Sequence, residues 1–364
     1  MFTDAEKQRI KKEIQYHAAG EADLADIATL IAGMQPDTGG RFNVRSHSPE
    51  YFRWMYLQNP AGRAWVFCAR HKGKLVSTFA LAPKLVKIGD AVVRCGKTMD
   101  MFTDPGYQGL GLMSRLAERV FEAARRDGLA MWYVTPSGNS YPIFVGKWGY
   151  VETFEVAFLN GILNPDAIIA AVVKPAWVGS IMSAAAGGTV RLARFLRHPA
   201  AHLEASSLDC FGEETDMLWH RSKCKYAVQL VRDSRYMNWR YAANPDPYIK
   251  LLFRRNGEAC GVLILKQTVR GGMKVGELVD FLCPGDGPDL SGMLRRGLEL
   301  LKRDACALAQ AWAIEGSAME SDLRSVGLRI KRRRFKFLFS PDAPLDLFYS
   351  RTGWFLVQGD GNDI

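Results

Sequence analysis

Apolar positions recur along this chain with two different periods. Between 111 and 127, Leu112, Leu116, Val120 and the pair Ala123-Ala124 share one side of a helical projection, with Arg115, Glu118, Glu122 and Arg125 elsewhere. That spacing predicts a helix over 111–127. Other apolar residues gather in strand-like runs bounded by turn residues. The run WVFCARHKGKLVSTFAL (65–81) turns at Lys72-Gly73 and predicts a hairpin over 64–82. The same reasoning predicts a strand over 14–18, a helix over 22–34 and a helical turn over 48–57. Strands over 91–103, 129–135 and 150–159 and a short helix over 140–147 complete the set. The expected class is mixed α+β, with a central, mainly antiparallel sheet flanked by helices.

A second pattern is long-range. Tyr51-x-x-Trp54-x-Tyr56-x-x-Asn59-Pro60 recurs 185 residues on as Tyr236-x-x-Trp239-x-Tyr241-x-x-Asn244-Pro245. Each copy runs into a strand-like stretch, the second being YIKLLFRRNGEACGVLIL (248–265) with its turn at Asn256-Gly257. Five matching positions followed by the same element predict duplication of one domain. The expected division is 1–160 and 205–364, joined by a helical linker over 161–204. That linker is rich in Ala and Gly, holds Pro165, Pro175 and Pro199, and carries Arg191, Arg194 and Arg197 at helical spacing. A basic surface touching membrane is the alternative reading of it. His198 and His202 are spaced i, i+4 but lack an acidic or cysteine partner, so no metal site is expected. The shared aromatic signature is expected to serve architecture common to both copies. The alternative is that Tyr51 and Trp54 line an acceptor groove in the first.

The length, 364 residues with 48% hydrophobic and 24% charged, suits a globular protein of two domains. Forty-eight Lys and Arg against 38 Asp and Glu give a net charge of +10. The surplus favours acidic partners such as phosphorylated cofactors, nucleotide sugars, anionic lipid or nucleic acid. No motif that reads nucleic acid accompanies it, so that partner is not expected. The densest basic run is Arg329, Lys331, Arg332, Arg333, Arg334 and Lys336, inside a predicted strand ending FKFLFS. It is expected to be a solvated strand face, with an acidic docking partner as the alternative. Seven scattered cysteines without zinc-ligand spacing fit reduced thiols. The charged N-terminus has no signal-peptide core, and the apolar stretches 156–173 and 175–190 are too broken to span a bilayer. A cytoplasmic protein is therefore expected.

The segment Thr98–Ser114, TMDMFTDPGYQGLGLMS, carries the candidate chemistry. A strand ends near Thr103, Asp104-Pro105-Gly106 turns the chain, and Gln108-Gly109-Leu110-Gly111 leads into the helix. Glycine lets the backbone approach a ligand, and a helix start offers unpaired N–H groups at the positive end of its dipole. Together they make a seat for a pyrophosphate. Tyr107-Gln108-Gly109-Leu110-Gly111-Leu112-Met113 resembles the acyl-CoA loop of the GNAT acetyltransferases: Gln or Arg, two residues, Gly, one residue, Gly or Ala. Met113 stands where the family's last residue is small. Lys147-Trp148-Gly149-Tyr150 is similar to the family's Lys-x-Gly-aromatic ending, Asn139 to the asparagine before it, and Ala22–Ile27 to its first helix. The resemblance covers 14–159. In the second copy Cys283-Pro284-Gly285-Asp286-Gly287-Pro288 replaces the loop, so a tandem GNAT protein with a degenerate C-terminal copy is expected.

The resemblance implies direct transfer of an acetyl or other acyl group from CoA to an amine, within one ternary complex. The acceptor would be a small molecule or an amino sugar, and no metal is implied. Pantetheine would lie along Met101, Phe102 and Thr103. The pyrophosphate would sit on Gln108, Gly109, Leu110, Gly111, Leu112, Met113 and Ser114, with Asn139 nearby. A backbone N–H near Thr103 would stabilise the oxyanion. Asp100 is the candidate base for the acceptor's proton, against the alternative of a hydrogen-bonded strand-end carboxylate. Val145 stands where the family places a general-acid tyrosine. Tyr141 is the candidate substitute, with packing as the alternative. Two other functions stay open: transfer of a longer chain from an acyl carrier protein, and a catalytically silent acyl-CoA-binding scaffold.

Overall fold

The computed structural model describes residues 3–33, 48–172, 203–285, 287–341, 343 and 353–361. Helix α1 (Asp4–Glu13) starts in a capping box. The Thr3 hydroxyl accepts from the Glu6 N–H, and the Glu6 carboxylate accepts from the Thr3 N–H. Strand β1 (Gln15–Ala18) and α2 (Leu24–Gly33) follow, and then α3 (Pro49–Phe52) runs into a π-helical turn, Arg53–Leu57. Strands β2 (Trp65–His71), β3 (Lys74–Ile88) and β4 (Ala91–Thr103) form a meander. The chain continues through α4 (Leu112–Arg126), β5 (Trp132–Val134), a π-helical turn (Ile143–Lys147) and β6 (Val151–Ile162). Pro165 opens α5 (Pro165–Val172), where a missing N–H costs nothing. The remaining residues singled out in the expected linker, Pro175, Arg191, Arg194, Arg197, His198, Pro199 and His202, lie outside the described residues.

A similar order of elements then returns, with one strand, β8, added. Strand β7 (Leu203–Ser207), α6 (Glu213–Ser222) and β8 (Val228–Leu230) lead to α7 (Ser234–Met237), which also runs into a π-helical turn, Asn238–Ala242. A second meander, β9 (Ile249–Arg255), β10 (Glu258–Arg270) and β11 (Met273–Leu282), precedes α8 (Pro288–Arg303), β12 (Leu308–Ile314), α9 (Ala318–Ser325) and β13 (Arg329–Phe339). Both first hairpins turn on two consecutive residues at positive φ, Lys72-Gly73 and Asn256-Gly257. That geometry matches the twist of the flanking strands.

The two halves share one mixed sheet of 13 strands, ordered β1-β2-β3-β4-β5-β13-β6-β12-β11-β10-β9-β7, with β8 paired to the end of β3. Only β4–β5 and β11–β12 are parallel among these pairings. The last strand of each half has crossed over: β13 lies between β5 and β6, and β6 pairs with β12. Helix α4 buries Leu112, Leu116, Ala117, Val120, Phe121 and Ala124 against one face. Phe121 stacks on Trp132 of β5 at 4.7 Å between ring centroids. Among the described residues, no helix is long and apolar enough to cross a membrane.

The repeated aromatic signature joins the halves. Trp54 and Trp239 stack at 4.8 Å, each Nε1–H donating to the other's carbonyl oxygen, at 2.7 and 3.1 Å. This reciprocity makes the contact nearly two-fold symmetric. Tyr51 and Trp54 are 4% and 2% exposed, so they form core and do not line an open acceptor groove.

Beside this stack lies a buried lysine. Lys84 is 1% exposed, its Nζ makes no hydrogen bond among the described residues, and it sits over the rings of Trp239 and Tyr236. Burial, reinforced by Arg240, holds its ammonium well below the ordinary lysine range. The unfolded chain therefore binds a proton that the fold disfavours, and stability rises with pH up to that range. Lys84→Met should raise stability at pH 7 by about 1–3 kcal/mol by removing an unsatisfied polar group. Urea titrations should show that gain shrinking as the pH is raised towards 10.

Candidate active site

The end of β4 is shaped by a bulge. In its register with β3, Thr78 faces Phe102 and Ala80 faces Met99, so Asp100 and Met101 together oppose one residue. Asp100 adopts φ +49°, a left-handed conformation uncommon outside glycine and found disproportionately at functional sites. Its carboxylate Oδ2 accepts a 2.7 Å bond from the Tyr56 hydroxyl. Beyond the bulge Thr103 is fixed by Ser77, whose Oγ lies 2.8 Å from Thr103 Oγ1 and 2.9 Å from the Phe102 carbonyl oxygen.

Strand β4 separates from β5 here. Only Gly96–Trp132 and Lys97–Tyr133 pair, so Thr98–Thr103 continue past the end of that ladder. The split leaves a wedge between two parallel strands whose backbone edge can bond an extended ligand. Lys97, 2% exposed, marks the branch point, with Nζ 2.9 Å from Thr135 Oγ1.

The turn after β4 aims at the same place. Asp104 caps it by accepting from the Gly106 N–H at 2.9 Å, and Lys74 holds Asp104 at 2.7 Å. Tyr107 is pinned through His71 to Glu13, at 2.9 and 3.0 Å. Leu110 and Leu112 are buried at 2% and 1%, which turns the intervening backbone outward. Gly109 and Gly111 both have φ +79°, and a Cβ at either would meet nothing within 4 Å. The positive φ requires glycine, and the space in front of it is open. Gly111 precedes α4, whose first amides have no acceptor within the helix. The Lys147 ammonium reaches this helix start and donates to Ser114 Oγ at 2.6 Å.

The fold thus brings Met101, Phe102, Thr103 and the residues Gln108–Ser114 to one wedge and adds Lys147 to them. Asn139 is exposed in the turn beyond β5. Tyr141 is half-buried, with the Lys336 ammonium 5.7 Å from its ring centroid. Its ring also packs against the core on the α4 side of the sheet.

A family model described as acetyltransferase (GNAT) domain matches residues 15–152. Residues 15–152 are a GNAT domain. No curated protein matches the chain. By structure, the chain is similar to Saccharomyces cerevisiae N-myristoyltransferase with bound myristoyl-CoA, with a TM-score of 0.65 at 10% identity, covering 94% of this chain and 89% of that one. An Enterococcus faecalis V583 protein described as a probable N-acyltransferase gives 0.60 at 13% identity, covering 90% and 72%. A GCN5-related N-acetyltransferase from Anabaena variabilis ATCC 29413 gives 0.58 at 11%, also covering 90% and 72%. At these identities the likeness is one of fold.

Outside the GNAT domain, the second half has counterparts for the wedge, the helix start and the Tyr56–Asp100 bond, each engaged from within the chain. Strand β11 pairs with β12 only over Val275–Glu277. In the wedge beyond lies the turn Gln358–Asp360, in contact with both strands. A Cβ at Gly359 would clash with the Tyr241 hydroxyl, so the tail is seated closely there. Helix α8 begins with Pro288, which has no N–H, and Asp289 in its first turn pairs with Arg255. The Tyr56–Asp100 bond recurs as Tyr241–Asp280 at 2.6 Å, but Asp280 also accepts from Arg232 Nε at 2.8 Å, with both fully buried.

The sequence placed Tyr56 among architectural aromatics and gave Lys147 no role at the start of α4. Half of the signal for Tyr56 was present: the tyrosine recurs at 241 with the repeat's offset, whereas the aspartates at 100 and 280 fall outside that offset and are matched only by the structure.

Proposed function

We propose that this chain is an N-acyltransferase that moves an acetyl or other acyl group from CoA directly to an amine of a small molecule or amino sugar. The observation that carries the reading is the wedge of the GNAT domain, which nothing fills among the described residues. The outward backbone of Gly109 and Gly111, the start of α4 and the Lys147 ammonium converge there, while the second half's equivalent is filled by the chain's own tail. Amides at a helix start together with a lysine suit a pyrophosphate. The β4 edge from Met101 to Thr103 suits the amide-bearing pantetheine arm, as the myristoyl-CoA-bound yeast enzyme of the same fold makes reasonable.

On this reading the amine nitrogen attacks the thioester carbonyl, the carbon–sulfur bond breaks, and the thiolate leaves with CoA. The amine must be neutral to attack, and Asp100 takes its proton. A backbone N–H near Thr103 stabilises the oxyanion. Tyr141 is the proposed donor to the leaving thiolate, and Asn139 a contact of the donor's arm. The C-terminal half serves as a degenerate copy that supports the shared sheet, without a donor site of its own.

Calorimetric titration with acetyl-CoA tests the donor site. Micromolar binding is expected, and Gly111→Trp should weaken it by roughly 100-fold by filling the space in front of the loop. A wild-type chain that binds no acyl-CoA of any chain length would sink the reading and leave an acyl carrier protein as the donor to examine. Binding without amine-dependent thiol release would leave the silent scaffold.

A further inference from the structure

We infer that Tyr56 is a positioning residue for Asp100, holding its carboxylate at the β4 bulge in the orientation that proton transfer from the acceptor amine needs. This rests on the proposed reading of Asp100 as the base. Three independent features point to Tyr56. The first is geometry: its hydroxyl donates to Asp100 Oδ2 at 2.7 Å from a ring that is 2% exposed and fixed in a π-helical turn. Phe52, one turn earlier, packs on that ring at 5.3 Å, so the donor cannot swing away. Burial, and then Asp100 itself, push the Tyr56 hydroxyl well above its ordinary value, so it remains a donor at any working pH.

The second feature is the internal comparison that the repeat supplies. Tyr241 makes the same bond to Asp280, at the matching bulge between Ile264 and Leu265 of β10 and their partners. There the carboxylate is locked: Arg232 Nε and the Phe281 N–H both donate to Oδ1, at 2.8 Å, and the group is fully buried. A carboxylate with an arginine on one oxygen and a tyrosine on the other is a structural anchor. Asp100 accepts from its own tyrosine in the same way and is half-buried where β4 leaves β5.

The third is strain. Asp100 adopts positive φ and Asp280 does not. A residue held in a sparsely populated conformation needs its surroundings to over-determine it. In the first copy the bond from Tyr56 is such a constraint, fixing the side chain while the bulge turns the backbone.

A hydrogen bond to the charged form of a carboxylate lowers its pKa. Removing the hydroxyl must therefore raise that of Asp100, and the acidic limb of the pH profile must move up. The experiment compares wild type, Tyr56→Phe, Tyr241→Phe and Asp100→Asn, reading amine-dependent thiol release from acetyl-CoA between pH 5 and 9. Glucosamine and benzylamine serve as acceptor probes. Tyr56→Phe should move the acidic limb of kcat up by about one pH unit and lower kcat about tenfold, leaving KM for acetyl-CoA unchanged. Tyr241→Phe should lower Tm and leave the limb where it is. If Tyr56→Phe lowers Tm alone, with the limb unmoved, Tyr56 is a packing residue and the inference is wrong. The underlying reading fails separately, and visibly: full activity in Asp100→Asn, or no amine-dependent release from either probe, overturns it whatever Tyr56 does.

Discussion

Arg232→Leu should lower the stability of the whole chain by about 3–5 kcal/mol, the cost of leaving a buried charge without its partner. Arg232 is fully buried and bridges two carboxylates, Asp280 at 2.8 Å and Asp360 at 2.6 Å. Burial disfavours its charge, and Asp280 and Asp360 more than offset that and hold the guanidinium above its ordinary value. Asp360 is itself raised above the ordinary carboxylate range by burial, with Arg232 opposing that rise. Taking the cation away must push the Asp360 carboxyl up further, and an aspartate with a raised pKa costs the fold stability as the pH climbs from the ordinary carboxylate range through the raised value. The loss should therefore be larger at pH 8 than at pH 5 in denaturant titrations. Asp280→Asn in the Arg232→Leu background should recover part of it by deleting one of the stranded charges. An Arg232→Leu protein as stable as wild type at both pH values would show that the tail is held by packing alone. Packing is considerable, because Phe355 lies against Arg232, Tyr226 and Phe281.

The location of that network explains what the sequence could and could not reveal. Local signals were strong: the amphipathic stretch became α4, the two Gly-containing turns became hairpins, and Asp104-Pro105-Gly106 turned the chain into the glycine loop. The repeat was equally legible, because its tryptophans are large and recur at fixed spacing. Its purpose was only half visible. Mutual stacking of Trp54 and Trp239 depends on the halves facing one another, which spacing within either copy does not encode. The exchange of β6 and β13 is invisible for a similar reason. Both strands are apolar on alternating positions, and such a pattern fixes which face is buried without naming the neighbour. The tail was unreadable as well: Gly353–Gly361 has no regular period, yet it fills the second wedge through backbone carbonyls that accept from Arg240 and one ion pair, Arg232–Asp360.

The candidate site shows the same division. The glycine loop at the start of α4 was legible because glycine at positive φ before a helix is a local device. The wedge was not, since it arises where the β4–β5 ladder stops at Lys97–Tyr133, and the expected strand over 129–135 contracts to Trp132–Val134. Asp100 was legible as a carboxylate near a strand end, but its left-handed backbone and its bond to Tyr56 join positions 44 residues apart.

Asp100→Asn should lower turnover by about 10²–10⁴-fold, the usual contribution of a positioned acid or base, while leaving the structure in place. Asparagine is among the few residues that accept left-handed φ, so the bulge at φ +49° should persist. Its side-chain oxygen can still accept from the Tyr56 hydroxyl, so that tyrosine keeps its partner. What asparagine cannot do is take a proton from an incoming ammonium. Wild type should therefore run below the acceptor amine's own pKa, with an acidic limb set by Asp100. The variant should depend on the fraction of amine already neutral, so its rate should climb tenfold per pH unit until that pKa is reached. The deficit would then narrow as the pH rises, with affinity for acetyl-CoA unchanged because the loop and Lys147 are untouched. A variant whose deficit is constant across pH would mean that Asp100 shapes the bulge and that the proton leaves by another route.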